Sequence, residues 1–304
     1  MNIDLTNLPD QTGADEFMAP VPGRVAHIDA DFIAYQASAE TKDELAGLAP
    51  RKTLQDMQEG CVSRITRLMR LTGSTSYVAH ITPSGSTKGG RNEIALNKEY
   101  QGNRKSTIPP VHLAAIRGYI GEMLPSAVHL DQEADDGMTQ ANVAAIAAGQ
   151  RDLSVIVSMD KDLRMAPGLH WCFAEETLVD VEGFGSIWVD RSKSSAKVLG
   201  WGTSFFWAQL LMGDTADNIS GLPSNPQGKN IGAVSAYGYL DQCTTDQQCF
   251  EVIKYLWSRS PHIWKNWRDA SDSTWKLNLV ADMRLLWMRQ HNDPDDLIKW
   301  LGTI

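Results

Sequence analysis

At 304 residues, 42% hydrophobic content and a formal charge of −9, the chain suits one large α/β domain or a core domain with a helical appendage. No apolar run approaches the roughly 20 residues of a membrane span, and the opening MNIDLTNLPDQTGADEF lacks the basic and apolar regions of a secretory signal, so a cytoplasmic protein is expected. The acidic balance argues against a general nucleic-acid-coating protein. The charge is unevenly placed, however: four acids precede the first basic residue, Arg24, and five basic residues face two acids between Lys88 and Lys105.

Residues 1–23 read as a flexible polar lead-in. Val25–Asp29 reads as a short buried strand ending in an acid. Thr53 is placed to cap a helix that carries Leu54, Met57, Cys61, Ile65, Leu68 and Met69 at three-to-four spacing and stops near Gly73. Tyr77–Ile81 is the next strand. Residues 82–107 are polar, glycine-rich and basic, with one short helix-like piece, and read as a long loop; loops of that length are functional or disordered. Pro109 and Pro110 open a helix to about Met123, Ala127–Leu130 is a strand, and a helix beginning at Glu133 ends near Gly149. Ser154–Ser158 is the clearest buried strand. Strands alternating with helices indicate a mostly parallel sheet flanked by helices.

Beyond about residue 200 the strand signals fade. Phe205–Met212 reads as a helix, a turn-rich stretch runs to Gly232, and helices follow. This gives an α/β core over 24–200 and a helical region over 201–304. Six of the ten tryptophans lie beyond residue 250, as expected of a packed helical region rather than a base-stacking platform. Cys61, Cys172, Cys243 and Cys249 lack zinc-ligand spacing and are expected to be reduced thiols.

The chemistry-bearing signal is the placement of the acids. Asp29 ends the first strand, Glu133, Asp135 and Asp136 open a helix, Asp160 and Asp162 follow the clearest strand, and Asp214 and Asp217 follow an apolar helix. Each group alone reads as helix capping or a turn. Together they place carboxylates beyond the carboxyl ends of strands, where parallel sheets build sites. Crowded carboxylates repel unless cations neutralise them. Oxygen-only ligation favours Mg²⁺ or Mn²⁺, and two such ions about 4 Å apart hydrolyse phosphodiesters.

The order of these segments resembles the flap endonuclease and 5′→3′ exonuclease superfamily, and most of all the exonucleases of short-tailed bacteriophages. The matching segments are HIDADFIAYQASAE, YQGNRK, EADD, VSMDKDL and GDTADNISG followed by NIGAVSAYGYL, over roughly residues 25–240. The resemblance implies a mostly parallel sheet between helices, a basic arch or loop over the site, and a C-terminal helix–three-turn–helix element for duplex DNA. It implies that Asp29, Glu133, Asp135, Asp136, Asp160, Asp162, Asp214 and Asp217 hold two ions, directly or through water. It places Arg104 at a phosphate and Tyr100 against a base, and Lys98 and Lys105 stand in as DNA contacts for an arch lysine that this sequence lacks. Gly232 matches the turn that cradles K⁺ and leads to a helix N-terminus at duplex phosphates, and Lys229 stands in for the basic residues missing after it. Asn230 replaces a glycine there, as a residue that visits the left-handed region.

Two departures stand out. Gln101 replaces the arch lysine, and Thr82 and Pro83 offer no acid after the second strand. The expected activity is a metal-dependent 5′→3′ exonuclease acting on duplex ends, 5′ flaps or RNA–DNA hybrids. The alternatives are a PIN-type ribonuclease and a catalytically inactive DNA-end-binding protein of the same fold.

Overall fold

The computed structural model describes residues 17–106, 108–192 and 195–304; most of the expected lead-in, residues 1–16, lies outside them. In chain order the elements are β1 (Val25–Asp29), α1 (Ala30–Ser38), α2 (Lys42–Leu45), α3 (Leu54–Leu71), β2 (Ser76–Ile81), α4 (Arg91–Ile94), α5 (Leu113–Met123), β3 (Ser126–Val128), α6 (Ala134–Ala147), β4 (Ser154–Val157), β5 (Gly168–Cys172), β6 (Thr177–Val181), β7 (Ser186–Asp190), β8 (Lys197–Trp201), α7 (Thr203–Met212), α8 (Ala233–Leu240), α9 (Asp246–Arg259), α10 (Trp275–Leu286) and α11 (Asp296–Leu301). No helix among the described residues is long and apolar enough to cross a membrane.

The chain forms two compact units. Among the described residues, the first comprises 17–86, 108–159 and 168–180, and the second comprises 87–106, 160–167, 181–192 and 195–304. The sequence places a single boundary near residue 200. The structure instead assigns the basic segment after β2 and the DKDL segment to the helical unit, because both are hydrogen-bonded within it.

In the first unit a six-stranded sheet has the order β3-β2-β1-β4-β5-β6, and the pairings β1–β2, β1–β4, β2–β3 and β4–β5 are all parallel. Capping explains where the long helices start. Thr53 and Asp56 form a reciprocal capping box on α3, and Met57, Cys61, Ile65, Leu68 and Leu71 make its buried stripe. These residues join Ile28, Ile33, Ala79, Ile116, Ile120, Val155 and Val157 in one core. Each fully buried aliphatic side chain contributes about 1.5–3 kcal/mol. The order of strands reverses between β1 and β4, and this switch point is where open parallel sheets place ligands.

The second unit contains the antiparallel hairpin β7–β8, whose alternating strand SIWVD was not anticipated from the sequence. Its helices pack through aromatic rings. Trp257 stacks on Trp264 at 4.8 Å, Trp287 on Trp300 at 4.5 Å, and Trp207 lies 5.7 Å from Trp300. The expected long loop over 82–107 contains three short helical pieces, Lys88–Gly90, Arg91–Ile94 and Gly102–Ser106. Arg91 is fully buried and donates to Trp287 O. Arg268 donates to the carbonyls of Ala95, Asn92 and Glu93 at the end of α4.

Three imidazoles cross adjacent strands of the sheet. His27 Nδ1 lies 2.9 Å from His80 Nε2, and His80 Nδ1 lies 2.9 Å from His129 Nε2. Burial lowers His27 to a pKa of about 4. Burial, together with repulsion from His27 and His129, lowers His80 to about 2. These groups resist protonation when folded but accept it near 6.5 when unfolded. Their stabilising effect is therefore complete above pH 6.5 and lost as the pH falls through 4 toward 2. His80→Phe should be less stable than the wild type at pH 7 by about 2 kcal/mol, since it removes the partner of two half-buried ring nitrogens, on His27 and His129. The difference should shrink by pH 4.5. Unfolding midpoints measured across this range check the expectation, and a constant difference would contradict it.

Candidate metal and phosphodiester site

In the first unit, the acids gather at the carboxyl edge of the sheet. Asp29 ends β1 and caps α1, with Oδ1 accepting from Phe32 N at 3.0 Å and Oδ2 accepting from Ser158 Oγ at 2.9 Å. Ser158 directly follows β4, so this bond spans the switch point. Glu133 is the N-cap of α6 and Asp136 the third residue, and the two form a capping box in which Asp136 accepts from Glu133 N. Asp135 is half-buried beside them. The helix N-terminus favours these negative charges.

The missing acid at Thr82 has a structural counterpart. Asp31 Oδ2 accepts from Thr82 N at 2.9 Å, Thr82 Oγ1 accepts from Ala134 N at 2.9 Å, and Arg117 ion-pairs with Asp31 at 2.9 Å. Thr82 thus ties the end of β2 to the acid-bearing start of α6. Asp31 is an organiser of this edge. Asp31, Thr82 and Ser158 carried no sequence signal beyond their position after strands.

In the second unit the remaining acids surround a lysine. Lys161 Nζ lies 2.6 Å from Asp162 Oδ1 and 2.5 Å from Asp214 Oδ2. The Asp162 side chain is 8% exposed and that of Asp214 only 1%. Gln209 also donates to Asp162 Oδ1, and exposed Asp160 accepts from Asp162 N at 2.8 Å. Burial and the charge of Asp160 push Asp162 well above the usual carboxylate range. Burial acts the same way on Asp214, but the Lys161 ammonium and hydrogen bonds hold it below that range. Burial works against the Lys161 charge, yet Asp162, Asp214 and Asp160 keep its pKa above that of an ordinary lysine. Lys161 lies between Asp160 and Asp162 in the sequence, where nothing local marks its bridging role.

The GDTADNISG loop is a closed turn. Asp214 and Ile219 exchange backbone hydrogen bonds of 2.9 and 2.7 Å, and Asp214 Oδ1 accepts from Ala216 N at 2.7 Å. Its ends meet through two glycines: a Cβ on Gly221, at φ +62°, would lie 2.2 Å from Gly213 N. The YQGNR segment is stapled onto this loop. Asp217 accepts from Tyr100 Oη at 3.0 Å, Gln101 Nε2 at 3.0 Å and Arg104 Nη2 at 2.6 Å, while Asn103 donates to Thr215 O. The motifs chosen for Arg104 and Asp217 are therefore brought together.

Several expectations change. Tyr100 is 4% exposed, so its ring does not offer a face for base stacking; its hydroxyl positions Asp217 instead. Gln101, in place of the arch lysine, accepts from Lys88 Nζ at 2.5 Å as well as donating to Asp217. Lys105 pairs with Glu99 at 2.6 Å, while Lys98 is exposed. In the SNPQGK turn the left-handed position falls on Gly228, at φ +75°, and not on Asn230, because Asn225 Oδ1 folds the turn by accepting from Gln227 N and Lys229 N. Lys229 and Asn230 are exposed, and Gly232 starts α8 with its N–H bonded to Ser235 Oγ.

The donor chemistry fits a hard divalent cation. All eight acids offer oxygen alone, and Lys161 already supplies positive charge between two of them. As the side chains stand, no three His, Cys, Asp or Glu residues among the described ones converge on one metal position. Gly221→Ala tests how far the loop depends on its closure. The added Cβ meets backbone rather than a movable side chain, so the variant should lose about 3 kcal/mol of stability. Urea unfolding checks this, and an unchanged midpoint would show that the glycine contact is not required.

No family model and no curated protein matches the chain. Among solved structures, it is similar to a bacteriophage T5 flap endonuclease in complex with DNA and metal ions, with a TM-score of 0.48 and 15% identity, over 87% of this chain and 86% of the other. It is also similar to T5 5′-exonuclease with zinc bound, at a TM-score of 0.48 and 15% identity, over 86% of this chain and 88% of that one.

Proposed function

We propose that the protein is a metal-dependent 5′→3′ exonuclease that hydrolyses phosphodiester bonds at DNA 5′ ends, with 5′ flaps and RNA–DNA hybrids as further substrates. The observation that carries this reading is the position of Asp29. It lies at the sheet's switch point, bonded across it to Ser158, on the same strand edge to which Thr82 ties the acid-opened helix α6. In the first unit the metal ligands are Asp29, Glu133, Asp135 and Asp136. In the second they are Asp160, Asp162, Asp214 and Asp217. When bound, Mg²⁺ or Mn²⁺ supplies an activated water and neutralises the leaving oxygen.

The chain's own residues orient these groups. Ser158 and Phe32 N fix the Asp29 carboxylate, and Tyr100 and Gln101 fix Asp217. Arg104, with its side chain 55% exposed, meets a phosphate oxygen. Lys98, Lys105 and Lys229 contact the backbone of DNA, the turn leading to Gly232 would cradle K⁺ with its backbone, and the N-terminus of α8 meets duplex phosphates.

A second reading, a DNA-end-binding protein without catalysis, is favoured by one observation: Lys161 already neutralises Asp162 and Asp214. Digestion of a 5′-labelled duplex, a flap and an RNA–DNA hybrid with and without Mg²⁺ separates the two. The nuclease reading requires products that disappear on adding EDTA; binding without products supports the other. Asp135→Asn and Asp160→Asn should each abolish cleavage while leaving DNA binding largely intact, and turnover at the wild-type rate by either would remove the ligand assignment.

Arg104→Ala should slow single-turnover cleavage more than it weakens duplex binding, because the guanidinium anchored by Asp217 and Ala216 O would meet the reacting phosphate. A general DNA contact would instead lower binding uniformly and flatten the salt slope by about one.

A further inference from the structure

The second unit contains a buried charge arrangement that the nuclease reading leaves unexplained. Asp162 and Asp214 are nearly inaccessible, and both direct an oxygen at Lys161 Nζ, at 2.6 and 2.5 Å. Two adjacent carboxylates away from water are strongly unfavourable without a cation. The other hydrogen bonds to the pair are uncharged, from Gln209 Nε2 to Asp162 and from Ala216 N to Asp214, and the two carboxyl groups also hydrogen-bond each other. Lys161 is thus the cation within bonding distance of both, and its side chain, 43% exposed, has a route outward to solvent.

We propose that Lys161 is the resident counter-ion of the Asp162–Asp214 pair, holding the two carboxylates together without metal and competing with a divalent ion for the same oxygens. The proposal rests on the metal-binding reading above. Metal entry displaces the ammonium from Asp162 Oδ1 and Asp214 Oδ2, and the flexible four-carbon stem carries the charge toward solvent. Lysine suits such a role better than arginine, since a point charge gives way more readily than a planar fork bonded to two carboxylates.

The test uses the full chain and Mn²⁺ alone as probe. Lys161→Met keeps the length of the stem without its charge. Its metal-free form should melt lower than the wild type, Mn²⁺ should close most of that gap, and calorimetry should show Mn²⁺ bound about tenfold tighter than by the wild type. Lys161→Arg should keep the metal-free stability and bind Mn²⁺ no more tightly than the wild type. If Lys161→Met does not fold without metal, refolding with Mn²⁺ present should restore it, and failure of that rescue would overturn the proposal. Equal or weaker Mn²⁺ binding by a folded Lys161→Met variant would also overturn it while leaving the metal reading intact. Absence of Mn²⁺ binding by both the wild type and the variant would overturn the metal reading, and the proposal with it.

Discussion

A carboxylate taken out of water needs a donor or a cation for its oxygens, or it will hold its proton instead. Much of the local geometry follows from how this chain meets that requirement. Asp162 and Asp214 share a lysine. Asp217 draws three side chains from a segment more than a hundred residues earlier. Asp31 uses an arginine and a backbone N–H, and Asp136 the start of its own helix. Each solution constrains a stretch of backbone, so the acidic residues act as local organisers whether or not an ion is bound.

The segment from Lys88 to Lys105 shows the effect most clearly. It is polar and basic, with little apolar surface to bury, and its sequence suggests a free loop. In the structure its carbonyls and side chains are met one by one within the second unit. Arg268 collects three carbonyls at the end of α4, Trp267 donates to Ala95 O and to Leu96 O, and Asn218 donates to Glu99 O. Order here comes from long-range hydrogen bonds, which leave no periodic trace in the local sequence.

That contrast explains what could be read from the sequence. The core strands β1, β2 and β4 and the helices α3, α6 and α7 were legible because their apolar spacing and caps are local properties of the chain. The positions of Asp29 at a strand end and of Glu133 at a helix start were legible for the same reason. The pairing of Tyr100 with Asp217, the bridging role of Lys161 and the part played by Thr82 were not, since each depends on which distant segments the topology brings together. Strands β5 to β8 were not legible because they follow one another without an intervening α-helix, outside the βα alternation. The turn after Ser224 was misread at Asn230, since Gly228 had taken the left-handed position first.

The row of imidazoles across β1, β2 and the residue following β3 has a direction. Gln132 Nε2 approaches His129 Nδ1 at 3.4 Å, and Gln132 is itself locked amide-to-amide with Gln140. An amide nitrogen can only donate, so with the Gln132 amide in this orientation the hydrogen of His129 lies on Nε2, and those of His80 and then His27 follow suit. The tautomers are therefore correlated: the orientation of one amide sets the electric dipoles of three rings. Turning that amide over together with its Gln140 partner would reverse the tautomers of all three rings at once, and the six ring nitrogens should report the change as a single concerted event in their nitrogen-15 resonances.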